Sequence, residues 1–153
     1  MKLFASLFVF LILFAAPAFA AESHYEVYYF HASWRCTNCT NAEAWAGEAV
    51  DALKQAHPDT VIVYAPKQLE TNKQLVEATK AKRVDLVVVK VDDGKISSYA
   101  NLGNLLPLVI SKQAVIQAAI DGILAFDEQV PGGKRLTRPK SLAAQNTNPQ
   151  ARR

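Results

Sequence analysis

The chain has 153 residues, half of them apolar and 20% charged, with 6 Gly, 7 Pro and 2 Cys. That profile fits one ordinary globular domain and excludes a disordered chain, a collagen-like chain and a disulfide-dense miniature scaffold. The net charge of +3 hides an asymmetry: six cations and no acid lie beyond Val130, whereas residues 21–130 carry ten Lys or Arg against all fourteen acids. A mildly acidic body lacks the basic face a nucleic-acid-binding domain needs, so no nucleic-acid partner is expected.

Lys2 opens a run that is apolar from Leu3 to Ala16 except for Ser6, followed by Pro17 and the small-x-small triplet Ala18-Phe19-Ala20. Residues 1–20 therefore read as a secretory signal peptide cut before Ala21, giving a periplasmic or secreted product. The competing reading is an uncleaved anchor, because the run approaches the ~20 residues that span a bilayer. No later stretch is apolar for that long, so no stable membrane span is expected once the leader is removed.

The segment from Tyr25 to Phe30 or His31 is rich in β-formers and predicts a first strand. Ala42, Trp45, Ala46, Ala49, Leu53 and Ala56 recur at helical spacing, predicting a helix that runs to about His57 and is stopped by Pro58. A short strand over 60–64, a polar helix over 72–82 and a β-branched strand over 86–91 follow. Asp92-Asp93-Gly94 supplies turn chemistry for a hairpin into residues 95–99. Ser111 is placed to cap a last helix, with Val115, Ala118, Ala119, Gly122 and Phe126 on one face and Ile116, Ile120 and Ile123 on an adjacent one. From Pro131 onward large apolar residues are few, and residues 131–153 read as a basic, disordered tail.

Chemistry concentrates in Phe30-His31-Ala32-Ser33-Trp34-Arg35-Cys36-Thr37-Asn38-Cys39, a C-x-x-C between the first strand and the first helix. Here the chain, over about residues 22–128, resembles the thioredoxin superfamily. The resemblance implies an α/β thioredoxin fold, with a central four-stranded mixed sheet flanked by helices. It makes Cys36 the exposed nucleophile and Cys39 the resolving thiol. Independently of the resemblance, a helix N-terminus and the neighbouring Arg35 both favour a thiolate at Cys36. The strength of that effect depends on whether Thr37 caps the helix or the pattern Thr40-x-x-Glu43 starts it later.

The sequence departs from the family pattern at three places. Arg35 separates Trp34 from the first cysteine, Tyr29 stands where thioredoxins bury an acid, and the family's cis-proline falls at about Val84-Asp85, with no Pro between Pro66 and Pro107. His31 is the nearest replacement base, and Trp34 is read as a partly exposed lid or contact surface.

Two functional readings follow. In the first, the protein is a monomeric thiol-disulfide oxidoreductase that passes through a mixed disulfide and needs no organic or metal cofactor, its partners being protein thiols or disulfides and a redox partner that resets the site. In the second, suggested by the missing proline, it is a redox-inert binding module with a structural disulfide. A closed metal site is not expected, because His24, His31 and His57 form no ligand spacing with the two thiols.

Overall fold

The computed structural model describes residues 23–131 and 135–143; the expected signal peptide at 1–20 lies outside them. Four strands, β1 (His24–His31), β2 (Ile62–Gln68), β3 (Asp85–Asp92) and β4 (Lys95–Asn104), form one mixed sheet in the order β2-β1-β3-β4. β1 runs parallel to β2 and antiparallel to β3, and β3 is antiparallel to β4. The helices are α1 (Thr37–Ala56), α2 (Lys73–Thr79) and α3 (Lys112–Gln129), with single helical turns at Leu106–Leu108 and Lys140–Ala143. This is the expected α/β architecture, consistent with a thioredoxin-like fold.

Alternation along β1 sorts the core into two layers. Tyr25, Val27 and Tyr29 face α1 and α3 and pack with Ala46, Ala49, Leu53, Ile120 and Ile123, whereas Tyr28 and Phe30 face the other side with Val87, Val89, Val91 and the α2 side chains Leu75 and Val76. The two apolar stripes expected on α3 merge into one broad buried face, since Val115, Ile116, Ala119, Ile120, Ile123 and Phe126 are all buried. Alanines and Gly47 keep the α1 face shallow. A Cβ on Gly47 would stand 3.0 Å from the Tyr64 ring, so this glycine lets α1 lie against β2.

Local signals act where the sequence places them. Ser111 Oγ accepts the Ala114 N–H and caps α3. Asp93 (φ 56°) and Gly94 (φ 71°) form the two-residue hairpin loop with both central residues in the left-handed region.

Three boundaries differ by three residues or more. β2 continues through Pro66 to Gln68, because β2 is an edge strand where a missing N–H is tolerated. α2 stops at Thr79, three residues early, because Lys80 turns into the left-handed region at φ 56°. β4 extends five residues past Tyr99: Leu102 and Ser97 bulge out of register with β3, and Asn101 Nδ2 donates to Asp85 Oδ2 at 2.8 Å.

The expectation of a tail without order from Pro131 onward is corrected for residues 135–139. Leu136 is 7% exposed and joins the larger core layer, and its N–H donates to Asp127 Oδ2 at 2.8 Å. Asp127 Oδ1 in turn accepts the Tyr25 hydroxyl at 2.5 Å, and Arg135 donates to the Asp127 carbonyl oxygen. Thr137 meets His57 Nε2 at the end of α1, and Arg138 pairs with Asp121 on α3. The disorder argument counted apolar residues alone. What holds this strap is a set of buried polar groups on the body that need partners, with a single leucine as anchor.

Candidate functional site

β1 ends at His31 and α1 begins at Thr37, which leaves four loop residues and then Cys36 as the helix N-cap. Cys36 has extended backbone angles (φ −91°, ψ 161°), and its Sγ accepts the Cys39 N–H at 3.2 Å. The helix thus starts one residue earlier than a Thr37 cap would start it, and Glu43 does not serve a capping box at Thr40. Thr40 instead sends both its N–H and its hydroxyl to the Cys36 carbonyl oxygen, at 3.1 and 3.3 Å. Cys36 and Cys39 are joined in a disulfide with Cα atoms 5.1 Å apart. Cys36 is half-buried, and Cys39, one turn inside, is 4% exposed.

Arg35, expected to act on Cys36, is held elsewhere. Its guanidinium grips the Glu43 carboxylate at 3.2 and 2.5 Å, a bidentate pair that offsets its charge. Beneath the disulfide, the buried Tyr29 hydroxyl donates to the Cys39 carbonyl oxygen at 2.9 Å, and the Tyr64 hydroxyl donates to the Glu43 carbonyl oxygen at 2.7 Å. Burial, reinforced by the Glu43 charge, pushes both phenols well above their usual range. Tyr29 is therefore a neutral hydrogen-bond donor beneath the disulfide.

Trp34 is 70% exposed, with the Arg83 guanidinium 5.7 Å from its ring centroid. Ser33 ties the loop to the end of β2, donating its N–H to Glu70 and accepting from Gln68 Nε2 at 2.7 Å. His31 Nδ1 lies 3.0 Å from the Ala32 carbonyl oxygen, a contact that uses that nitrogen as a donor. The structure thus gathers Trp34, Arg35, Cys36 and Cys39 at one end of the sheet and turns His31 toward its own backbone.

Val84, where the resemblance led us to expect a cis-proline, is 2% exposed and left-handed at φ 69°, a strained conformation for a β-branched residue. Its N–H donates to the Phe30 carbonyl oxygen at 2.8 Å, and its carbonyl accepts from Leu105 at 3.4 Å.

Sequence reasoning missed Glu43 as the partner of Arg35, and it missed Tyr64 and Arg83 as neighbours of the motif. Of these, Glu43 left a trace, since it lies one helical turn after Cys39.

No protein-family model and no curated protein matches the chain. Among solved structures, similar chains include one described as "Structure of a malarial protein", which is 19% identical over 51% of this chain and 80% of its own, with a TM-score of 0.32. At that score the likeness carries no argument.

Proposed function

We propose that this protein is an exported thiol-disulfide oxidoreductase that works through Cys36 and Cys39. The observation that carries the reading is the position of the Cys36 sulfur at the tip of α1, where it already accepts a helix N–H. In the reduced protein that sulfur is held where unpaired helix N–H groups stabilise a thiolate over a thiol. Thiolate attack on a client disulfide, or attack of a client thiol on Cys36, forms a mixed disulfide that the buried Cys39 resolves. A purely structural role gains less from this spacing, because closing so short a loop stabilises a fold by about 2 kcal/mol. The leader at 1–20 sends the chain to a compartment in which disulfides persist. The clients are protein thiols or disulfides, a redox partner resets the pair, and the working unit is a monomer without a cofactor.

One observation favours the rival, a redox-inert module that binds through the same face. The backbone N–H and C=O of Val84, beside the motif, are already bonded within the protein and are closed to a docking client strand. Trapping separates the two readings. Cys39→Ser, expressed with its leader, is expected to accumulate reductant-sensitive adducts of higher mass on non-reducing gels after acid quenching, and Cys36→Ser is not. If neither variant forms adducts and the wild-type disulfide resists dithiothreitol in the native state, the module reading replaces the oxidoreductase.

A further inference from the structure

Resolution of a mixed disulfide requires Cys39 to lose a proton inside the protein, and neither Tyr29 nor His31, the replacement base expected from the sequence, makes a hydrogen bond to its sulfur among the described residues. Tyr29, beneath Cys39, holds its proton and donates it to the Cys39 carbonyl oxygen. His31 donates from Nδ1 to the Ala32 carbonyl, which leaves the lone pair on Nε2, and no hydrogen bond among the described residues links that nitrogen to Cys39. One acid lies on the Cys36 side of the buried stripe of α1. It is Glu43, four residues after Cys39 and seven after Cys36, spacings that stack the three residues along one side of the helix. Residues at this i, i+4 spacing have Cβ atoms about 5–6 Å apart, within reach of a glutamate side chain or of one bridging water.

We propose that Glu43, whose carboxylate is paired with Arg35 in the disulfide form, is the proton acceptor for Cys39. This rests on the oxidoreductase reading and adds the missing base to it. In the step, the Cys39 thiol proton passes to the Glu43 carboxylate, directly or across one water. The Cys39 sulfur bonds to Cys36 Sγ, the bond from Cys36 to the client sulfur breaks, and the client leaves with the electron pair as a thiolate. Glu43 then returns the proton to solvent, to which it is open, its side chain being 18% exposed.

The charged and titratable groups around Glu43 come from every packed element. Arg35 pairs with it from the loop, Tyr29 reaches in from β1 and Tyr64 from β2, and Arg83 acts on Tyr29 from the segment before β3. From α3, Lys112 is engaged further along α1 by Glu48 at 2.7 Å. Both tyrosines are locked as donors, which leaves the carboxylate as the acceptor in the cluster.

The test loads reduced full-length protein with 5-thio-2-nitrobenzoate on Cys36 and follows release of the coloured thiolate, at 412 nm, as Cys39 closes the disulfide. In the wild type the rate is expected to stay nearly level through the neutral range. In Glu43→Gln it is expected to be about a hundredfold slower near pH 6, the size of a general-base contribution, and to fall about tenfold per pH unit below the thiol titration. Arg35→Met breaks the same ion pair but keeps the carboxylate, and should stay close to wild type. Equal slowing in both variants assigns the effect to the ion pair as a structural clamp and overturns the proposal. So does faster release in Glu43→Gln, which is what removal of a negative charge beside an ionising thiol produces. Failure of Cys36 to load at all would instead strike the oxidoreductase reading itself, so the two failures are distinguishable.

Discussion

Leu136→Ala tests the strap of residues 135–139 at its single apolar anchor. Leu136 is 7% exposed within the larger core layer. Leucine-to-alanine changes at such sites cost about 2–5 kcal/mol, and the cost falls when the surroundings relax into the space. The strap is a short extended segment free to relax, so the lower half of the range applies, about 2–3 kcal/mol. In a domain of this size each kcal/mol moves the melting temperature by roughly 4 °C, which gives a drop of about 8–12 °C. Asp127→Asn attacks the same segment through its polar fastening. Asp127 accepts from Tyr25 with one oxygen and from the Leu136 N–H with the other, so whichever way an amide turns, one donor loses its acceptor. A hydrogen bond to a charged acceptor is worth about 1.5–3 kcal/mol. Because both changes unfasten one segment, the double variant should lose less than the two singles together, with a coupling of about 0.5–3 kcal/mol. Thermal melts of the four proteins, followed by circular dichroism, give the cycle. A Leu136→Ala melt within a degree of wild type, or strict additivity, would refute the packed strap.

Two further outcomes follow from the site and the core. Reduced Cys36 should titrate below the ~8.5 of a free thiol, and Arg35→Ala should leave that titration nearly in place, because Glu43 already offsets the Arg35 charge; a clear upward shift in the pH profile of iodoacetamide labelling would show that Arg35 acts on the sulfur after all. Tyr25, Tyr28 and Tyr29 are buried, and desolvation first, then neighbouring carboxylates, pushes their phenols above the usual range. Unfolded phenols ionise near ~10 while the folded ones keep their protons, so stability is full below that pH and falls above it by about 1.4 kcal/mol per pH unit for each tyrosine. Absorbance titration at 295 nm under native conditions tests the sign, which ordinary midpoints in the folded state would contradict.

What could be read from the sequence were the features decided by near neighbours. β-branched and aromatic runs marked the strands, Pro58 the end of α1, Asp93-Gly94 the hairpin and Ser111 the cap of α3. Cys36 and Cys39 were legible as a pair because their spacing and their place before a helix are local facts. The rest depended on groups far apart in the chain. β4 looked finished at Tyr99 because Asn101, Gly103 and Asn104 are poor strand formers, yet pairing with β3 and the Asn101 contact to Asp85 carry it on. The strap was invisible because its fastenings, Asp127 and His57, reveal their unmet hydrogen bonds only once folded. Arg35 was taken for a cation beside a sulfur because adjacency is all a sequence reports; that its guanidinium goes to Glu43 is set by the turn of the loop.

The two outer strands of the sheet bear on how copies of the protein meet one another in concentrated solution. Val61 and Val63 on the β2 side, and Ile96 and Tyr99 on β4, are exposed apolar side chains that would reward the addition of a further strand. Neither border offers an unbroken row of backbone donors and acceptors to grow from. Pro66 removes one N–H from β2 with Lys67 charged beside it, and the extra residues Ser97 and Leu102 twist β4 out of a flat ladder at two points. Sheet growth from chain to chain is interrupted on both sides, and a protein built this way can accumulate without seeding fibres.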